Sequence, residues 1–410
     1  MTTNPSDVTD PKNLSREDIA QLPKVVLHDH LDGGLRAATI VELAEAAGYG
    51  KLPTTDPEEL EHWFVEAANS GSLPKYLETF DHTTAVMQTA EAITRVTAEA
   101  VVDLAADNVV YAELRFAPEQ HQSQGLSLQD IVDAAVAGCQ QGEAQAAQQG
   151  KQITARLILC AMRHTDRSVE IAQLTIDNHT PDGYVAGFDI AGPEDGFPPS
   201  RHHEAFDMLR RNHVPFTIHA GEAAGRDSLE SAVYEGAQRI GHGARVYEDF
   251  SADLDGIQAG RLSSYIRDRR TPLELCPTSN VHTGVVDDLA DHPFALLDTM
   301  HFAVTVNTDN RLVSGTTMTQ EMAVLVEQFN YDLDGLFNVT QNAIEQAFIP
   351  QDLREEILND QIIPGFEKVA GIESDEPEPE ATQGRLTQEE LDAIDPALLE
   401  EPGIDPKDFL

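Results

Sequence analysis

The chain has 410 residues, 41% of them hydrophobic, enough for one large α/β domain or two ordinary ones with a sizeable core. Its 71 acidic residues against 27 basic ones give a formal net charge of -44, which repels polyanions and argues against nucleic acid or anionic membrane as a partner. That charge fits a cytoplasmic protein of an acidic, salt-tolerant proteome, and three scattered cysteines, Cys139, Cys160 and Cys276, rule against a disulfide framework and against CxxC zinc patterns and fit a reduced compartment.

Residues 1–22 read as a polar N-terminal arm, without the basic start and apolar stretch of a signal peptide. No apolar run approaches the roughly 20 residues that a membrane helix needs. From Lys24 to about Val369, short β-branched runs alternate with longer amphipathic ones. The strand-like runs are VVLHDHLDG (25–33), VVYAELRFAP (109–118), ARLILCAMR (155–163), YVAGFDIAG (184–192), PFTIHAGE (215–222), RIGHGARV (239–246), LELCPTSN (273–280) and FAVTVNTDN (302–310). Segments such as SLQDIVDAAVAGCQQGEAQAAQQ (127–149) carry helical spacing between them. This alternation predicts parallel βαβ units, and the number of runs is that of a closed (β/α)8 TIM barrel over residues 23–370. The long stretch between the first two runs, including SLPKYLETFDH (72–82), reads as an inserted helical cap. Residues 371–410 read as an acidic tail, disordered apart from a short helix over LTQEELDAIDPALLE (386–400).

The polar residues fall at one end of these runs, where a barrel of this kind carries its functional groups. His28 and His30 are two apart and share one face of a strand. Asp189 and Gly192 end the fourth run, His219 and Glu222 the fifth, and Asp309 the eighth, while His242 lies in the sixth. Imidazole and carboxylate are good zinc ligands, and such a set suits one divalent ion that brings the pKa of water toward ~7. Binuclear barrel hydrolases usually bridge their metals with a carboxylated lysine. Neither the third run nor the fourth holds a lysine, so one ion is favoured.

With those residues assembled, the chain resembles the adenosine deaminase family of metal-dependent (β/α)8 hydrolases. The resemblance spans about Pro23 to Val369 and rests on PKVVLHDHLDGGL (23–35), SLPKYLETF (72–80), YAELRFAP (111–118), MRH (162–164), HAGE (219–222), RIGHG (239–243), LCPTSN (275–280) and VNTDN (306–310). It implies zinc-dependent hydrolytic deamination of adenosine and 2′-deoxyadenosine to inosine and 2′-deoxyinosine, within purine salvage or catabolism. It implies one Zn2+ per subunit on His28, His30, His219 and Asp309. Glu222 is then the proton donor to purine N1, and His242 orients and helps deprotonate the attacking water. Gly192 offers its N–H to purine N3, Asp32 binds the ribose 5′-hydroxyl, and His30 is a substrate-binding residue as well as a metal ligand.

The match departs at Asn310, where relatives often carry a second aspartate facing purine N7. An amide donates to N7 without needing to be protonated first. Relatives acting on free adenine tend to read HLEG where this chain reads HLDG at 30–33, which favours a nucleoside. The alternative is another 6-aminopurine, such as adenine or a 5′-modified adenosine. The H-x-E…P-C-x-x-C signature of nucleic-acid deaminases is absent. A non-catalytic scaffold would have shed ligands or the acid, whereas this chain keeps them all. Leu73, Leu77 and Phe80 either cover the sugar side of the pocket or pack the core. Arg115 and Arg163 with His164 are expected in buried ion pairs behind the site, and His202 and His203 at the surface. Cys276 reads as a small apolar residue of the seventh strand, with Ser279 and Asn280 ordering water at the mouth.

Overall fold

The computed structural model describes residues 14–254 and 256–372. The expected helix over 386–400 therefore lies outside the described residues. Eight strands line the centre: β1 (Lys24–His30), β2 (Val109–Phe116), β3 (Thr154–Met162), β4 (Val185–Ala191), β5 (Thr217–Ala220), β6 (Arg239–His242), β7 (Leu273–Leu275) and β8 (Val304–Val306). They form two parallel four-stranded ladders, β1 to β4 and β5 to β8. Parallel bridges Phe188↔Phe216 and Asp29↔Asp309 sew the ladders together at both edges and close the barrel. The second seam carries paired backbone bonds, His30 N–H to Asp309 O at 2.6 Å and Asp309 N–H to His28 O at 2.9 Å.

The strands of the second half are shorter than their apolar runs suggest. Pro277 opens a helix, Pro277–His282, so LELCPTSN is strand only as far as Leu275, and Cys276 is the helix N-cap. His242, the last residue of β6, and Asp309, at the seam with β1, adopt left-handed backbone, φ 61° and 57°. Five helices lie between β1 and β2, namely Ala37–Ala47, Pro57–Ala68, Leu73–Leu77, Phe80–Val86 and Ala90–Ala106. The N-terminal arm is not uniformly irregular. Ser15 and Asp18 form a capping box for helix Arg16–Gln21, which anchors itself through buried Ile19. An exposed antiparallel hairpin, Phe250–Asp253 with Gly256–Ala259, was not expected from the pattern, because the segment lacks apolar alternation. Among the described residues, no helix is long and apolar enough to cross a membrane.

Charge fills much of the barrel interior. On β2, Glu113 and Arg115 are two apart and both fully buried. Arg239 donates from Nε to Glu274 Oε1 at 2.7 Å and pairs with Glu113 through Nη2. Its guanidinium also lies 3.6 Å from the Phe348 ring centroid. Arg115 donates to Asp189 at 2.8 Å and to the other oxygen of Glu274 at 2.9 Å. Removing one member of a buried pair strands the charge of the other, at a cost of about 3–5 kcal/mol. Arg239→Met is expected to lower unfolding free energy by about that much in urea titration. A loss under about 1 kcal/mol would show that the pairing has little structural role.

Candidate active site

Four side chains converge at the C-terminal mouth of the barrel. His28 and His30 come from β1, His219 from β5, and Asp309 follows β8. One ligand atom from each lies within 4.8 Å of the others. His28 Nε2 is 3.2 Å and His30 Nε2 3.5 Å from Asp309 Oδ1. His30 Nε2 and His219 Nε2 face each other at 3.3 Å. Period two on β1 aims both of its histidines inward, and the seam bridge carries Asp309 to them.

A carboxylate stands behind two of the imidazoles. Glu274 Oε2 is 3.1 Å from His28 Nδ1, and Asp189 Oδ2 is 2.7 Å from His219 Nδ1. Burial opposes ionisation of both acids, yet the groups that face them prevail. His219 and Arg115 hold Asp189 below the usual carboxylate range, and Arg115 and Arg239 hold Glu274 well below it. The ionised Glu274 at Nδ1 of His28 fixes that tautomer so that Nε2 presents its lone pair to the centre, as a metal-ligating histidine requires, and Asp189 lies against Nδ1 of His219 without a hydrogen bond of good geometry. The donor set fits a cation. His28 Nε2 is buried without a hydrogen bond of good geometry. Three interior carboxylates, Glu113, Asp189 and Glu274, pair with the guanidiniums of Arg115 and Arg239, and Asp309 adds a carboxylate that faces the histidines His28 and His30, a donor set that suits a cation. His28, His30, His219 and Asp309 could hold it.

Beside this cluster, Glu222 Oε2 is 3.7 Å from His242 Nε2. Burial first, then the charges of Asp309 and Glu194, push the Glu222 carboxyl well above its ordinary range. Glu222 is held by its backbone. Glu194 accepts from the N–H groups of Gly221, Glu222, Ala223 and Ala224 at 2.7–3.0 Å, and from the Ser228 hydroxyl. Asn280 Nδ2 lies 3.1 Å from His242 Nδ1, and Ser279 Oγ donates to Asp309 Oδ2 at 2.6 Å. Ser279 and Asn280 thus each contact a residue of the site.

The cluster opens into a cavity of ≈ 410 Å³, a size suited to a small organic ligand. Leu73, Tyr76, Leu77 and Phe80 form one wall, so the apolar residues of the expected cap face the cavity as well as the core. Asp32 and Asn310 share another wall. Asp32 is 4% exposed, its Oδ1 has no hydrogen-bond partner, and burial pushes its carboxyl up to about 7. Gly33 leaves room for Asn310, since a Cβ there would meet Asn310 Oδ1 at 1.9 Å. Gly192, with φ 101°, lines the side beside Met162 and His164.

Several supporting residues differ from expectation. Arg115 does sit in buried ion pairs. Arg163 instead donates to the backbone carbonyls of Phe197 and His219, and His164 is exposed at the cavity edge. His203 is exposed and paired with Glu235, but His202 is buried against the Arg163 carbonyl. Glu194, Glu274 and Tyr76 were not singled out from sequence. An acid inside the apolar triplet LEL (273–275) is the signal that could have found Glu274.

The family model described as adenosine deaminase matches residues 23–363. Adenosine deaminase 1 of Streptomyces coelicolor is 53% identical over 365 residues, covering 88% of this chain and 91% of that protein. Adenosine deaminase of Mycobacteroides abscessus is 54% identical over 360 residues, covering 87% and 99%. Among solved structures, an adenine deaminase from Arthrobacter aurescens superposes with a TM-score of 0.71 at 26% identity, covering 83% of this chain and 98% of that one.

Asp189→Asn removes the anion behind His219 while keeping its shape. Metal affinity is expected to fall about 10–100-fold, read as metal content after dialysis against graded chelator. Unchanged affinity would mean that Asp189 does not orient His219 for a metal.

Proposed function

Since the chain belongs to the adenosine deaminase family of metal-dependent hydrolases, we propose that it hydrolyses the 6-amino group of adenosine and 2′-deoxyadenosine. The products are inosine or 2′-deoxyinosine, and ammonia. His28, His30, His219 and Asp309 would hold one zinc ion, since three imidazoles and a carboxylate leave room for a further ligand. What the ion supplies when bound is Lewis acidity, which makes water a nucleophile near neutral pH. Three buried free cysteines fit a reducing cytoplasm.

The remaining work falls to the chain's own groups. The C6 of adenine is a poor electrophile until N1 is protonated, so a carboxylic acid must meet that edge. Glu222 takes this role. Its burial, with the charges of Asp309 and Glu194, strengthens its hold on the proton, as a donor needs. His242 faces it and orients the attacking water. Gly192 contacts N3 through its N–H, and Asn310 donates its amide to N7. Asp32 takes the ribose 5′-hydroxyl, and its unpartnered Oδ1 in the cavity wall supports that role. No contact in this set requires the 2′-hydroxyl, hence the inclusion of 2′-deoxyadenosine.

The observation that carries this reading is the pair Glu222 and His242, 3.7 Å apart beside the four-residue cluster. A phosphoester or lactone hydrolase would have no use for a protonated carboxyl there. Ultraviolet absorbance of metal-loaded protein with adenosine, adenine and a 5′-blocked adenosine tests it. Adenosine alone is expected to turn over fast, and Glu222→Gln to lose about 10²-fold or more in kcat with its metal retained. Fast turnover of adenine would transfer the assignment to a base deaminase. Asp32→Ala is expected to raise KM for adenosine at least about tenfold while leaving 5′-deoxyadenosine unaffected. An equal effect on both nucleosides would remove Asp32 from 5′-hydroxyl recognition.

A further inference from the structure

A chain of hydrogen bonds runs from a backbone amide to the reactive face of His242. The N–H of Phe294 lies 3.2 Å from His292 Nδ1. A backbone amide can only donate, so Nδ1 accepts. His292 is buried among Phe294 and Phe329, and burial pulls its proton affinity down to about 3, which leaves it neutral with one ring proton. That proton must sit on Nε2, which lies 3.0 Å from Asn280 Oδ1. The amide of Asn280 is thereby oriented, with its NH2 toward His242 Nδ1 at 3.1 Å. Nδ1 of His242 is then an acceptor too. All three side chains are buried, so their polar atoms depend on one another for partners.

We propose that Asn280 and His292 are positioning residues that lock neutral His242 as its Nε2–H tautomer, so that it donates a hydrogen bond into the cavity. This rests on the proposed deamination, in which the recipient is the oxygen adding to purine C6. It narrows the role implied by resemblance, because a nitrogen that already carries hydrogen has no lone pair to take a proton from water. His242 stabilises negative charge on that oxygen as a donor, beside the acid Glu222. The left-handed backbone at His242, φ 61°, is a second constraint on the same ring.

The test is imidazole nitrogen NMR on metal-loaded protein with labelled histidine, with the His242 signals identified by their loss in His242→Asn. The expected result is a protonated Nε2 and an unprotonated Nδ1. In Asn280→Asp the carboxylate accepts from both rings, so the His242 proton is expected to move to Nδ1 and kcat to fall about 10²–10³-fold with little change in KM. His292→Leu frees the amide and is expected to lower kcat, and His292→Gln, which retains a donor toward Asn280, to recover most of it. A wild-type His242 protonated at Nδ1 would overturn the proposal, and this reading needs no variant to fold. So would Asn280→Asp with an inverted tautomer and undiminished kcat. The tautomer is read without substrate, so failure of wild-type protein to deaminate adenosine would count against the proposed function and not against the lock.

Discussion

Arg115 is the group on which the site depends. Its guanidinium is fully buried between Asp189 of β4 and Glu274 of β7, and it also reaches the Leu27 carbonyl of β1. One cation on β2 thus ties together strands that are not neighbours in the sheet. Each acid it holds ionised also faces a histidine, Asp189 His219 and Glu274 His28, while Arg239 takes the other oxygen of Glu274. Buried ion pairs contribute little net stability, because desolvation offsets much of their attraction. What this network does is set carboxylates against the imidazoles at the mouth. An apolar interior would pack as well and would hold no cation.

The acid that faces the cluster is held by a different device. Glu222 sits on a loop, and loops are ordinarily the mobile part of such a barrel. Here Glu194 gathers four consecutive amides and a helix hydroxyl around one carboxylate. That arrangement fixes the loop and also places a negative charge near Glu222, raising its hold on a proton. Glu194 therefore stiffens the loop and, after burial and Asp309, adds to the hold of Glu222 on its proton. The opposite wall, built from short helices through Tyr76 and Phe80, is held mainly by apolar contact. Tyr76 adds one polar tie, its hydroxyl 2.7 Å from Ser314 Oγ just beyond Asn310.

Backbone strain marks the same places. Among the described residues, seven that are not glycine have positive φ, and His242 and Asp309 are the two of them in the site. Such conformations persist only where the surroundings over-determine them. At Asp309 the constraint is the barrel seam with β1, and at His242 it is the Asn280 contact. β6 ends at His242 in this way, and Asp309 takes the same conformation three residues beyond the end of β8, where it bridges to β1.

Local chemistry was legible from the chain alone. Alternating runs announced the parallel barrel, the two-residue spacing of His28 and His30 put them on one face, and HAGE, GHG and NTDN marked the strand ends that meet them. These signals depend on periodicity and residue type within a few positions. Partner choice was decided only by the fold. Nothing near Glu274 in sequence says that it meets His28, 246 positions away, and nothing near Asn280 says that it separates His242 from His292. Arg163 looked like an ion-pair residue and bonds carbonyls instead, because the closed barrel places backbone rather than an acid within its reach. Sequence specifies which groups a strand offers and to which side. Which of them touch is set by strand order, stagger and closure, and these exist only once the eight strands have met.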